Sequence, residues 1–228
     1  MTDVQKDRIL VVAAHPDDEV LGCGGAVARH VDEGCTVDVV IVAEGALSRA
    51  DATSADVESL KLAAAKAAHL LGANGPTFLG LPDNRLDTVP LLDVVQHVER
   101  IVGELRPTIV YTHHAGDLNI DHQVVHRAVV SACRPIPGQS IRTIRTFETV
   151  SSTEWSFGVG LPFVPTLFVD ISAALERKLA ALEAYHSEMR DFPHPRSADN
   201  VRALAHLRGA TAGLRAAEAF MTVRDVIR

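Results

Sequence analysis

The chain has 228 residues, 47% of them hydrophobic and 22% charged, with a formal net charge of −7. That length and apolar content suit one large core, and the acidic balance argues against a nucleic-acid surface, which needs clustered Lys and Arg. Cys23, Cys35 and Cys133 are odd in number and form no C-x-x-C pair, which argues against a disulfide framework or cysteine zinc site and favours the reducing cytoplasm.

The N-terminus is polar and mixed in charge, unlike a signal peptide, and no apolar run reaches membrane-spanning length, so no membrane insertion is expected. Ile9 to Ala14 is a continuous apolar run that predicts a buried strand, stopped by Pro16. Ala26, Val27, His30 and Val31 keep helical spacing up to Gly34, and Thr36 to Ala43 predicts a second strand. Leu60, Ala63, Ala64, Ala67, Leu70 and Leu71 form one face of a helix ended by Gly72. Thr77 to Gly80 predicts a third strand. Pro90 suits a first helical turn, and Val94 to Leu105 continue that helix to a stop before Pro107. Thr108 to Thr112 predicts a fourth strand, followed by a helix carrying Val124, Val125, Val129 and Cys133; Arg145 to Val150 predicts a fifth.

Trp155 to Pro165 reads as a loop, and Thr166 to Ile171 as one more strand. Leu175, Leu179, Leu182, His186 and Met189 mark an amphipathic helix. After the turn Phe192 to Ser197, a long Ala-rich helix is predicted from about Asp199 to Phe220. With no repeat or linker, residues 1–228 read as a single α/β domain. The expected fold is a doubly wound, mostly parallel, Rossmann-like sheet with helices on both faces and a helical C-terminal part.

Two polar clusters carry the chemistry. His15-Pro-Asp-Asp-Glu19 follows the first strand directly, and Tyr111 to His122, with His126 one turn on, follows the fourth. In a sheet ordered 3-2-1-4-5, strands one and four are neighbours at the point where the order reverses, and ligands bind in that crevice. His15, Asp18 and His122 would converge there as a two-His, one-carboxylate set with room for water, the pattern of a catalytic zinc site. His122 and His126 lie at i, i+4 and offer a rival pair, but no H-E-x-x-H accompanies them. Of His113 and His114, strand alternation lets one face the crevice.

These motifs, with Asp117-Leu-Asn-Ile-Asp-His122, Leu79-Gly-Leu-Pro-Asp-Asn84, Pro193-His-Pro-Arg-Ser197, Arg208-Gly209 and Ala217-Glu-Ala-Phe220, resemble the PIG-L/LmbE family of zinc-dependent de-N-acetylases. The resemblance implies removal of the N-acetyl group from an amino sugar of GlcNAc type, a small-molecule substrate. It implies Zn²⁺ held by His15, Asp18 and His122, with Asp17 as general base. Where many family members read His-Pro-Asp-His, this chain has Asn119-Ile-Asp-His122. Either Asn119 acts as a neutral donor to the oxyanion or His114 enters from the preceding turn.

Asp121 either orients a ligand His from behind or caps the following helix. The resemblance makes Asp83 a sugar-hydroxyl ligand, against the alternative of a turn former. Arg49, His194 and Arg196 are further candidates to contact or close over the substrate. Gly22-Cys-Gly-Gly25 lacks the G-x-G-x-x-G spacing and reads as a packing device between helix and metal loop. Two other classes stay open: a metal-free nucleotide-binding enzyme and a catalytically silent sugar-binding protein. Homo-oligomerisation is also left open by the sequence.

Overall fold

A computed structural model describes residues 6–46 and 53–227. Among these described residues seven strands form one sheet in the order β3-β2-β1-β4-β5-β7-β6. Its parallel part comprises β1 (Arg8–Ala13), β2 (Thr36–Ala43), β3 (Thr77–Leu81), β4 (Ile109–His113) and β5 (Thr143–Phe147). The 3-2-1-4-5 order expected from the β-α-β alternation is therefore present.

Strand β1 shows why its sequence is apolar throughout. Ile9 and Val11 pack on one side of the sheet with α1 (Asp18–Asp32) and α2 (Ser54–Leu71), while Leu10 and Val12 pack on the other with α3 (Leu91–Leu105) and α4 (Ile120–Ala132). A strand covered on both faces has no polar side to alternate with. Helix boundaries follow local chemistry. Thr53 and Asp56 form a reciprocal capping box at the start of α2, and Gly72, at φ +80°, closes it in the left-handed conformation. No helix among the described residues is long and apolar enough to cross a membrane.

Helix α1 begins at Asp18, earlier than the spacing of Ala26 to Val31 alone indicates, and is kinked at Cys23. Behind the kink, the Glu218 carboxylate accepts the N–H groups of Gly25 at 2.9 Å and Ala26 at 2.7 Å, and Lys178 neutralises it at 2.6 Å. The glycines here do serve packing, but not against the metal loop. A Cβ on Gly22 would lie 2.2 Å from the Phe147 ring, and one on Gly25 would lie 2.7 Å from Ile171.

The C-terminal region departs most from expectation. Helix α5 (Leu175–Ala184) stops short of His186 and Met189, and α6 (Ala198–Thr211) does not continue to Phe220. The chain turns at Gly213, at φ +73°, and Ala217–Arg224 becomes β7, antiparallel to both β5 and β6 (Leu167–Asp170). Phe220 pairs with Phe147 on one side and Leu167 on the other. Two open strand edges and a buried slot outweigh the modest helix preference of an Ala-rich segment. The C-terminal part is thus helical in α5 and α6 but ends in the sheet.

Candidate metal and active site

Strands β1 and β4 lie side by side and parallel, with Ile9 opposite Ile109, and their C-terminal ends open the crevice where the strand order reverses. The segment 14–19 leaves β1 on that edge, and 114–122 leaves β4 on the same edge. His15, Asp18 and His122 present one ligand atom each within 4.8 Å of one another. His15 Nδ1 lies 3.2 Å and His122 Nε2 3.1 Å from the same Asp18 oxygen, Oδ2.

The far nitrogen of each imidazole faces a further carboxylate. His15 Nε2 is 3.1 Å from Asp121 Oδ2, and His122 Nδ1 is 3.1 Å from Asp117 Oδ1. A carboxylate behind a His fixes its ring and tautomer, the arrangement usual behind metal ligands. Burial opposes charge on both rings, but Asp121 and Asp18 around His15, and Asp18 and Asp117 around His122, outweigh it. They hold the two imidazoles at about 10 and about 9, so the site favours positive charge. Asp18 Oδ1 is buried without a hydrogen-bond partner among the described residues. An orphaned carboxylate oxygen beside two oriented imidazoles fits a divalent cation of borderline softness.

Asp17 lies at the N-terminus of α1 with φ +106°, in the left-handed region, yet its side chain does not cap the helix. Its Oδ2 instead pairs with Arg196 Nη1 at 2.6 Å. Burial pushes the Asp17 carboxyl up to about 7, against the pull of Arg196. Asp17 shares a polar cavity of about 150 Å³ with His15, Asp83, Asn84, Asn119, Glu188 and Arg196. Larger hollows exist, one of about 520 Å³ beside Met189 and Phe192, but the small polar one is lined by the ligand candidate His15, with Asp18 and His122 buried behind it.

Other expected residues are distributed as follows. Asp83 is buried, lies 3.3 Å from His15 Nε2 and lines the cavity. Arg196 lines the cavity and also donates to Ser151 Oγ at 2.8 Å, while His194 Nδ1 accepts the Arg196 backbone N–H and does not itself line the cavity. Arg49 lies outside the described residues. Asp121 is not the cap of α4: that role belongs to Asn119, whose Oδ1 accepts the Asp121 N–H at 2.8 Å. Asp121 accepts the N–H groups of Asn84 and Leu86 as well as facing His15. Asn119 Nδ2 donates to Asn84 Oδ1 at 3.1 Å.

His114 does not join the cluster. Its Nε2 contacts the Leu161 carbonyl at 2.8 Å, and its ring meets Phe163 edge-on. Its neighbour His113 takes the crevice side, stacked on His122 at 3.8 Å between ring centroids. His113 Nε2 accepts the Ala14 N–H, and burial and the adjacent His122 drive its pKa well down, so it is a neutral prop without a free lone pair. His126 Nδ1 donates to the His113 carbonyl, and neither cluster of three potential metal ligands among the described residues includes His126. Asp117, Glu19, Tyr185 and Glu188 receive no role from the sequence, and His113 only a share in the alternation with His114; Asp117, His113 and Glu19 carry a local signal as members of the two clusters, whereas Tyr185 and Glu188 carry none.

The chain matches the family model described as PIG-L, GlcNAc-PI de-N-acetylase, over residues 10–133. It is 31% identical to the uncharacterized deacetylase YaiS of Escherichia coli K12, across 80% of this chain and 92% of that protein. It is 28% identical to the 1D-myo-inositol 2-acetamido-2-deoxy-alpha-D-glucopyranoside deacetylase of Mycobacterium sp. (strain JLS), across 83% and 77% of the two chains. The solved structure of GalB, the 4-carboxy-2-hydroxymuconate hydratase from Pseudomonas putida KT2440, superposes with a TM-score of 0.77 at 22% identity, covering 97% of this chain and 98% of that one. That last likeness concerns the fold alone, since one fold hosts different reactions. The matched segment contains most of β1, all of β4 and both polar clusters, and on this ground the chain belongs to the PIG-L family.

Proposed function

We propose that this protein is a zinc-dependent hydrolase that removes the acetyl group from an N-acetylated amino sugar of GlcNAc type. The observation that carries the reading is the meeting of His15, Asp18 and His122, whose imidazoles face Asp18 Oδ2 while Oδ1 has no hydrogen-bond partner among the described residues, with His15 and Asp17 lining a polar cavity beside them. The family's description and the names of its relatives supply the substrate class. Zn²⁺ bound by these three side chains would polarise the acetyl carbonyl and bring the pKa of water to about 7.

The remaining chemistry falls to the chain's own groups. Asp17, at about 7, takes a proton from the attacking water and later returns it to the leaving amine. Arg196 steadies the carboxylate form of Asp17 and closes the cavity on that side. Asn119 has one amide N–H committed to Asn84, leaving the other to donate to the developing oxyanion. Asp83 binds sugar hydroxyls, Arg49 meets a sugar or phosphate group of the substrate, and His194 and Arg196 close over the pocket. The substrate is a small diffusible conjugate, and the setting is the cytoplasm, consistent with three free cysteines.

A panel of N-acetyl sugars and conjugates, assayed for free amine or acetate with Zn²⁺ present, tests this. Release from an amino sugar is the expected outcome. Release only from peptides or simple amides would overturn the substrate class. Binding of sugar without release would favour a silent sugar-binding protein, a reading that rests on Asn119 standing where many relatives carry His. Hydration of an unsaturated acid in place of amide cleavage would overturn the hydrolase reading altogether.

A further inference from the structure

Glu19 closes the first motif, yet it is neither a ligand atom of the candidate metal set nor part of the cavity lining. Its carboxylate is buried behind the loop and makes two hydrogen bonds. Oε2 accepts the backbone N–H of Asp17 at 3.0 Å, and Oε1 accepts the Tyr185 hydroxyl at 2.5 Å. Tyr185 is fully buried and ends α5, far away in sequence.

The backbone held this way is unusual. Asp17 sits at φ +106°, a conformation that L residues avoid and that persists only where surrounding structure enforces it. Asp at the N-cap of a helix, the residue just before its first turn, ordinarily turns its carboxylate back onto the free N–H groups of that turn. Here the Asp17 carbonyl starts the helix, accepting from Val20 and Leu21, while its side chain is released toward the cavity and Arg196. The contact that satisfies the Asp17 N–H in this twisted state comes from Glu19, and the contact that fixes Glu19 comes from Tyr185.

We infer that Glu19, anchored by Tyr185, is the positioning residue for Asp17: it holds the backbone in the strained state that frees the Asp17 carboxylate for proton transfer. The inference rests on the proposed hydrolase reading for what Asp17 does, but the geometric claim is separable from it. If the Asp17 N–H lost its acceptor, the peptide would relax to negative φ, and the carboxylate would swing toward the first turn of α1. A displacement of that size at a reacting group costs rate without removing substrate contacts.

The test uses zinc-loaded protein and the best substrate from the acetyl-sugar panel. Glu19→Ala should lower kcat roughly 10–100-fold, with KM and zinc content near those of the wild type. Glu19→Gln should recover kcat to within about threefold, because its carboxamide oxygen can accept the same N–H and its –NH₂ can donate to Tyr185. Tyr185→Phe, which keeps the carboxylate and removes only its anchor, should shift kcat in the same direction by less. Crystal structures give a second readout: Asp17 should leave positive φ in Glu19→Ala and keep it in Glu19→Gln.

Wild-type kcat in Glu19→Ala, or an unmoved Asp17, would overturn the inference. So would zinc loss that parallels the activity loss and is not rescued by Gln. Should Glu19→Ala fail to fold, Tyr185→Phe decides: unchanged kcat with an unmoved Asp17 overturns the inference, and reduced kcat with a displaced Asp17 supports it. If the wild type cleaves no acetyl sugar, the parent reading fails, and the Asp17 conformation in the variants alone decides the positioning claim.

Discussion

Helix α1 meets two buried ionic clusters, one at its first turn and one behind its kink, and they are built on opposite terms. Behind the kink, Glu218 accepts from Gly25, Ala26 and Lys178, and Lys178 also donates to the Leu21 carbonyl. One negative charge meets one positive charge, and both carboxylate oxygens are filled. At the first turn, Asp18, Asp117 and Asp121 crowd around His15, His113 and His122, Asp17 lies alongside paired to Arg196, and Asp18 Oδ1 has no partner among the described residues. A closed network rigidifies a core, whereas one left short of positive charge is poised for a ligand. The comparison separates a structural ion pair from a candidate active site although both are buried, acidic and attached to the same helix.

The strongest way to break the comparison is to remove a ligand from the open cluster. His15→Ala and His122→Ala should each take zinc from about one per chain to near none, with the sheet still folded and hydrolysis lost. Metal analysis and circular dichroism of the purified variants check this, and unchanged zinc in both removes the ligand assignment. Within the same cluster, Asp17→Asn should keep zinc and lower kcat roughly 10²–10⁴-fold. Asp18→Asn should weaken zinc binding instead. If the two neighbours behave the other way round, their roles are exchanged.

The closed cluster should respond in stability rather than chemistry. Lys178→Met leaves Glu218 buried without its counter-charge and should cost about 3–5 kcal/mol in urea unfolding. Zinc content and kcat per folded molecule should hold, and a selective loss of zinc would show the two clusters to be coupled. A smaller effect is expected from Asp121→Asn, which weakens the carboxylate behind His15. Zinc affinity should drop about 10–100-fold, measured by chelator competition. The smallest effect on stability concerns Asn119: Asn119→Ala should destabilise by about 0.5–2 kcal/mol through loss of the α4 cap, while Asn119→Ser retains most of it.

Much of this was legible in the residues. The unbroken apolar runs of β1 and β2, the Gly72 stop and the strand–helix alternation led to the 3-2-1-4-5 order. That order in turn placed His15 and His122 on one edge, as observed. The misreadings have local causes. Ala217 to Phe220 has helix-compatible composition, and nothing within it reveals the slot between β5 and β6 that makes it a strand. Asp121 and Asn119 both suit a helix start, and only the position of the Asn84–Leu86 loop decides which one caps and which one supports His15. For His113 and His114, alternation showed that they must part, but the packing of Leu161 and Phe163 chose His114 for the loop side.

What the sequence by itself determined is the set of residues that nearest-neighbour chemistry can mark: buried strands, helix stops, and two polar motifs placed directly after strands. Those signals act over a few residues, so they survive without knowledge of the fold. Tertiary structure alone decided the residues that act across distance, because hydrogen bonds and burial join groups that share no sequence neighbourhood. Tyr185 reaches Glu19, Arg196 reaches Asp17, and Glu218 reaches the kink of α1 only after α5, the 192–197 turn and β7 have packed against the first helix.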